Sequence, residues 1–377
     1  MNLFDETKIG NVTLKNHFFK ASSWEALATD EGHLTPALFD IHSELAEGGV
    51  GAILTGYAFI TKDEKPNPGM LGIYDDSFIP EYKKLTTLVH EKGSKIFLQL
   101  AYGGSFSYLN PPSKTIYGPS AVESQMTKIT PIEMTKENIQ EIVEAFAQSS
   151  RRAKEAGFDG VELHGAHGYL LSSFLTPYYN RRTDEYGGPI ENRARFLVEA
   201  VKASKKATGK DFPVLIKLNS ADYMEKEGLT ASESILVAKM LEKAGLDALE
   251  VSGGNENIKE VSKQNLGPAR RKLKPEEESY FQDYAKELVK TLKIPVILTG
   301  GNRDFSKLEA LQENYGIDFF GISRAMIRQP NLINLWKKDP TKRALCISCN
   351  GCFRSIGKRC VFNKPLNLEE KFKTIAK

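Results

Sequence analysis

Two histidines and a tyrosine stand close together in the run His164-Gly165-Ala166-His167-Gly168-Tyr169. Histidines at this spacing in a turned loop can both donate to one oxygen, and a tyrosine beside them is a weak acid. Together they can bind a carbonyl, stabilise the negative charge that builds on its oxygen and deliver a proton. One histidine alone would more readily cap the loop, with Tyr169 packing behind it. Two histidines and a tyrosine at one strand end point to a site. Zinc is the alternative occupant, but the local spacing offers no third ligand.

Two polar residues interrupt apolar runs elsewhere. Gln99 lies in Phe97-Leu98-Gln99-Leu100, and a buried unpaired amide costs about 1–3 kcal/mol. It can satisfy a cofactor's carbonyl and ring N–H together, or close an internal network. Lys217 lies in Leu215-Ile216-Lys217-Leu218, where a lysine is rarely buried without a reason. It can face negative charge forming on a cofactor, or pair across the fold. Gly300-Gly301 and Ser323-Arg324 follow two later apolar runs. Glycines let backbone N–H groups approach an anion, and arginine grips phosphate with two nitrogens.

All four cysteines, Cys346, Cys349, Cys352 and Cys360, fall in one short stretch. A secreted chain would spread them to staple loops, so the cluster suggests a metal or redox site. A tetrathiolate site suits zinc. Three cysteines separated by two residues each favour an iron–sulfur cluster such as [4Fe-4S]. A regulatory Cys346–Cys349 disulfide with two idle thiols is the plain alternative. Lys358 and Arg359 beside Cys360 would ease the negative charge of thiolates.

The elements that must position these side chains alternate. Short apolar runs at 18–21, 51–55, 95–100, 160–164, 214–218, 248–252, 296–299 and 319–322 read as buried parallel strands. Helical patterns follow at 36–47, 80–92, 136–156, 191–207, 231–244, 276–292, 305–314 and 331–337. Eight such units predict an α/β fold, a (β/α)₈ TIM barrel over 1–338, followed by a short Cys-rich tail over 339–377. No Gly-x-Gly-x-x-Gly opens the first helix, which argues against a Rossmann sheet. Long insertions at 101–135 and 253–275 belong on the catalytic face, where the loops after the strands build sites. In the barrel, the loops after strands seven and eight commonly hold phosphate, which is where Gly300-Gly301 and Ser323-Arg324 fall.

Composition sets outer bounds. The 377 residues carry 51 Lys and Arg against 48 Asp and Glu, a net charge of +3. Basic residues matched by acids argue against a nucleic-acid-binding role. No membrane span or apolar leader is visible, so a cytoplasmic protein is expected.

These residues resemble the Old Yellow Enzyme family of FMN-dependent NADH:flavin oxidoreductases. The stretch 160–195, GVELHGAHGYLLSSFLTPYYNRRTDEYGGPIENRAR, carries the resemblance most strongly, and it extends over roughly the first 335 residues. The resemblance implies an FMN barrel. By it, Gln99 matches the residue that binds the flavin pyrimidine and Lys217 the basic residue beside flavin N1 and O2. Gly300, Gly301, Ser323 and Arg324 fall in the phosphate-binding loops. His164 and His167 match the pair that holds the substrate carbonyl, and Tyr169 the proton donor. The segment 180–188 reads as a shaped loop without chemistry.

The chain also departs from the family. Where many members read Pro-Met and then Cys or Thr, it has Lys20-Ala21-Ser22-Ser23-Trp24. Ser22 and Ser23 are therefore the candidates beside the flavin, with Trp24 walling the pocket. Tyr102 replaces an expected His, and Ser105 an expected Arg. The tail resembles that of the longer 2,4-dienoyl-CoA reductase-like members, which carry a [4Fe-4S] cluster, but its cysteine spacing is tighter.

The expected activity is therefore NAD(P)H-dependent reduction of FMN and then of an α,β-unsaturated carbonyl or similar electrophilic alkene. The expected partners are that small molecule and NADH or NADPH, with no nucleic acid and no membrane; a homo-oligomer is compatible with the reading. Rival readings are an amine-dehydrogenase relative and an electron-transfer flavoprotein with a cluster. An RNA-modifying flavin barrel would want a reactive cysteine near the flavin, and every cysteine here is in the tail.

Overall fold

The computed structural model describes residues 2–107 and 115–363. Part of the 101–135 insertion (108–114) and of the tail (364–377) therefore lies outside the described residues.

Eight strands form the barrel: β1 (Phe18–Lys20), β2 (Ala52–Phe59), β3 (Lys95–Ala101), β4 (Gly160–Gly165), β5 (Val214–Asn219), β6 (Ala248–Ser252), β7 (Val296–Leu298) and β8 (Phe319–Ile322). Each pairs in parallel with its neighbours, and β1 pairs with both β2 and β8, so the sheet closes. The strands are buried almost throughout, which is why they read as continuous apolar runs.

The principal helices are α1 (Pro36–Glu47), α2 (Ile79–Glu91), α3 (Lys136–Glu155), α4 (Arg195–Thr208), α5 (Ala231–Lys243), α6 (Gln282–Thr291), α7 (Phe305–Tyr315) and α8 (Leu332–Lys338), with shorter ones at Leu170–Leu175, Ile190–Arg193, Lys259–Lys263 and Arg324–Arg328. In α3, Ile139, Ile142, Val143 and Phe146 lie on one face and are buried. Capping boxes at Thr135 and Thr230 start α3 and α5. Two helical expectations are corrected. The pattern at 191–207 breaks at Ala194 into Ile190–Arg193 and α4. The pattern at 276–292 begins as a single tight turn, Pro275–Glu277, and α6 proper starts at Gln282. The acids Glu276, Glu277 and Glu278 gave that turn a helical look.

A hairpin unforeseen from the sequence, Thr7–Ile9 with Val12–Leu14, is antiparallel. Its Ile9 and Leu14 pack with Phe19, Ala52, Leu54, Phe97, Leu215, Ala248, Ile297 and Phe319. This apolar plug fills one end of the barrel interior. Further along the same strands the inward residues turn polar, and that change of character marks the site. No helix among the described residues is long and apolar enough to cross a membrane.

Candidate active site

Register brings the polar residues together. Gln99 on β3 pairs with Glu162 on β4, and Lys217 on β5 pairs with His164 on β4 and Glu250 on β6. Gln99 Nε2 donates to Glu162 at 2.6 Å, and Gln99 Oε1 accepts from Ser22 Oγ at 2.8 Å. Lys217 Nζ lies 3.1 Å from Glu250 and 3.5 Å from Glu162. Thr299 Oγ1 also donates to Glu250. The internal network and the cross-barrel salt bridge that the sequence left open are thus both present.

Glu162 and Glu250 are the members that sequence reasoning missed. Each interrupts an apolar run as Lys217 does, so the same signal was available. Both are fully buried. Burial, then the neighbouring Glu250, raises the Glu162 carboxyl well above its ordinary range. Burial works against the Lys217 ammonium, but the two carboxylates outweigh it and hold its pKa above the usual lysine value. Glu250, held by that ammonium against its own burial, stays ionised.

Above this layer lies a cavity of about 630 Å³. His164, His167 and Tyr169 all line it. The ring centroids are 5.0 Å apart for His164–His167 and 4.4 Å for His164–Tyr169. His167 has φ 66°, the turned-in conformation that aims its ring into the cavity. Its Nε2 and Ser252 Oγ are 2.7 Å apart. His164 Nδ1 is buried with no partner among the described residues. Burial lowers both imidazole pKa values well below the ordinary value, assisted by His167 and Lys217 at His164 and by Lys217 at His167. Both rings are therefore neutral at neutral pH and each offers one N–H donor.

Tyr57 and Asn67 complete this wall and were not foreseen. Asn67 Nδ2 donates to Tyr57 Oη at 3.0 Å and lies 3.4 Å from Tyr169 Oη. The β2–β3 register shifts between Leu54 and Tyr57. A bulge of this kind re-aims the following side chain, which defeats simple alternation. Glu256, on the loop after β6, lines the cavity as a half-buried carboxylate, and burial pushes its pKa up to about 7.

The opposite wall fits a phosphate-bearing flavin on its own geometry. Gly300 and Gly301 have φ 106° and 79°, and a Cβ at Gly300 would lie 2.7 Å from the rings of Tyr280 and Phe281. Ser323 Oγ and Ser23 Oγ are 2.7 Å apart, and Lys20 Nζ donates to Ser23 at 3.0 Å. Arg324 lines the cavity while donating to Arg270 O at 2.8 Å and to Asn350 Oδ1. Gln99 retains one N–H and one lone pair beyond its protein partners. The glycine cradle with Arg324 fits FMN's phosphate, and Gln99 and Lys217, both held by Glu162, fit its polar ring edge, while the orphaned His164 Nδ1 is left for a ligand in the cavity above.

Of the first-strand departures, Ser22, Ser23 and Trp24 all line the cavity. Trp24 Nε1 donates to Pro68 O at 3.0 Å, and Lys358 lies 4.3 Å over its ring. Tyr102 and Ser105, at the two departures after Gln99, are buried and line none of this cavity. The 180–188 loop is shaped by Arg182, whose guanidinium grips Asp184 and donates to Met134 O at 2.6 Å.

The tail folds back over the mouth. Arg303 Nη1 donates to Cys346 O at 2.7 Å, and Cys346 lines the main cavity. All four cysteines are free thiols. Burial raises the Cys352 thiol, Arg324 opposes that shift, and the other three thiols add to it. Among the described residues, no three His, Cys, Asp or Glu side chains converge as a metal cage.

Comparison with known proteins adds the following. The family model described as "NADH:flavin oxidoreductase / NADH oxidase family" matches residues 2–342. An NADH oxidase of Thermoanaerobacter brockii is 33% identical over 99% of this chain and 58% of its own length. The chain thus spans little more than half of that relative. An NADPH dehydrogenase of Bacillus subtilis is 34% identical over 87% of this chain and 92% of its own. A solved 2-naphthoyl-CoA reductase complex superposes with a TM-score of 0.85 at 28% identity, covering 96% of this chain and 56% of that one.

Proposed function

Because the chain belongs to the NADH:flavin oxidoreductase / NADH oxidase family, whose cofactors are FMN and NAD(P)H, we propose that it reduces an electrophilic alkene conjugated to a carbonyl. The observation that carries this reading is one cavity lined on one side by the Gly300–Gly301 and Arg324 cradle and on the other by His164, His167 and Tyr169. FMN held there would supply the redox chemistry, a hydride relay between NAD(P)H and the alkene.

The chain's own residues do the rest. Two neutral imidazoles donate to the substrate oxygen and stabilise it as negative charge develops there. Being neutral, they need no proton loss before a substrate binds. Tyr169 protonates the carbon next to the carbonyl, with Asn67 and Tyr57 holding its hydroxyl in place. Lys217, anchored by Glu250 and Glu162, would present a cation to the ring edge of the cofactor, and Gln99 would orient that edge. Ser22 and Ser23 would stand beside the ring, and Gly300, Gly301, Ser323 and Arg324 would hold the phosphate.

The test is direct. The purified protein should be yellow, release FMN on acid treatment, and bind phenols with a long-wavelength absorbance band. It should oxidise NADH or NADPH in the presence of 2-cyclohexenone. A colourless protein that takes up no FMN on reconstitution contradicts the reading.

For the tail over 339–377, which follows the barrel over 1–338, we propose a tetrathiolate site on Cys346, Cys349, Cys352 and Cys360. Its support is the confinement of all four cysteines to residues 346–360; the described side chains do not converge as a cage, so a metal would have to draw them together. A cytoplasmic location fits free thiols. Metal analysis after anaerobic purification decides it. Iron with sulfide means a cluster, zinc without sulfide means a structural site, and four titratable thiols without metal mean neither.

A further inference from the structure

Beside the main cavity lies a second concavity of about 410 Å³. Glu256, Ala269 and Phe353 line both, so the two spaces are continuous. One wall is the loop after β6 and the other is the tail around Gly351–Arg354. The walls are tied together. Lys272 N donates to Ser348 O at 3.0 Å, and Asn350 Nδ2 donates to Ala269 O at 2.7 Å. The groove is therefore a fixed part of the fold.

Arg271 and Arg354 line the groove, both exposed, and neither guanidinium has a partner among the described residues. Lys272 follows Arg271 in the chain. The one carboxylate lining the groove among the described residues is Glu256, and it makes no ion pair with either arginine. Glu256 stands between groove and inner cavity. A carboxylate there repels an anion from the inner space, while the guanidinia outside attract it.

We infer that this groove is an anion subsite for the phosphate-bearing arm of an extended ligand whose uncharged reactive end passes Glu256 into the inner cavity. The inner half of this statement rests on the proposed reductase reading; the groove itself does not. Arginine presents a planar fork that fits phosphate oxygens, so two unpaired forks on facing walls suit a diphosphate. Two ligands share that chemistry. One is the dinucleotide reductant, and the other is a substrate carried on a phosphorylated thioester.

The experiment uses the full chain loaded with FMN. Inorganic pyrophosphate is titrated calorimetrically into the wild type and into the double variant Arg271→Ala/Arg354→Ala. Affinity should fall about tenfold or more in the double variant and by part of that in Arg354→Gln alone. Wild-type affinity should also weaken with added salt. Equal affinity in wild type and double variant overturns the inference. Neither arginine lines the inner cavity, so kcat with 2-cyclohexenone and saturating NADPH should stay at the wild-type level, which also shows that the variant folds. A higher KM for NADPH in the double variant assigns the groove to the reductant. A higher KM for crotonyl-CoA, with NADPH unaffected, assigns it to the substrate. A change in neither overturns the inference. Pyrophosphate binding requires no turnover, so a protein that binds it here yet reduces no enone keeps the subsite and loses the reductase reading.

Discussion

His164 and His167 make different contacts. His167 is hydrogen-bonded to Ser252, whereas His164 Nδ1 is buried without a partner among the described residues. A lone buried nitrogen costs stability that a ligand or water must return, so His164 is where binding energy is stored. Changing either histidine to Ala should slow alkene reduction on the order of 10²–10³-fold. Flavin reduction by NAD(P)H, read separately by rapid mixing, should change much less, because no oxyanion forms in that step. Tyr169→Phe should slow only reoxidation by alkenes. Unchanged alkene turnover in that variant would move the proton donor elsewhere.

Lys217 makes a second prediction at this scale. Its removal leaves Glu162 and Glu250 facing each other in a fully buried layer. Breaking a buried ion pair from one side typically costs about 3–5 kcal/mol. Lys217→Met should therefore lower the unfolding midpoint sharply in chemical denaturation. Lys217→Met combined with Glu250→Gln should recover part of the loss, since the stranded charge is gone. A double variant no better than the single one would mean that the loss is one of packing.

Among the elements, the glycine turn after β7 is the most constrained. Both Gly300 and Gly301 have positive φ, and Tyr280 lies against each. Gly300→Ala should cost about 1–3 kcal/mol in stability and weaken FMN retention, checked by thermal melting and by flavin content after dialysis. Retained FMN in a protein of unchanged midpoint would remove the cradle from the account.

The elements also show what was legible from residues alone. All eight strand–helix units could be read, because strands buried on both faces are continuous β-branched and aromatic runs. The site residues at the ends of β3, β4 and β5 followed, since each is a polar group in such a run. Tyr57 was hidden because the β2 bulge inverts which residues face inward after Leu54. Asn67 was hidden because it lies on a loop without periodicity, and its role exists only through contacts with Tyr57 and Tyr169. The hairpin plug was hidden by its three-residue strands, too short to show alternation.

For the whole molecule, the barrel separates an apolar plug, a charged layer and an open mouth along one axis. The plug supplies rigidity, the layer fixes the cofactor-facing lysine, and the mouth is shared by the loops and the tail. A pH prediction belongs at this scale. His42 is buried in α1 with its Nδ1 2.7 Å from Leu38 O, and burial lowers its pKa to about 4. The unfolded chain protonates this residue near its ordinary value of 6.5, before the folded chain does. Its contribution is present above about pH 6.5 and is lost as pH falls toward 4, by up to about 3 kcal/mol. Denaturant titrations of wild type and His42→Gln across that window should show a smaller loss in the variant. Parallel curves would mean that His42 does not control acid sensitivity.

The central claim is that one cavity serves both a hydride donor and an enone, with the histidine pair acting only on the second. Anaerobic double mixing tests it most directly. The FMN-loaded enzyme is first bleached by NADPH or NADH, then mixed with 2-cyclohexenone while flavin absorbance is followed. The wild type should bleach and then recover its yellow colour at a rate that rises with enone concentration. The His164→Ala/His167→Ala variant should bleach at a similar rate and recover at least a hundredfold more slowly, on the order expected for lost oxyanion donors. Equal recovery rates in wild type and variant, or a bleached wild type that no enone reoxidises, would contradict the account.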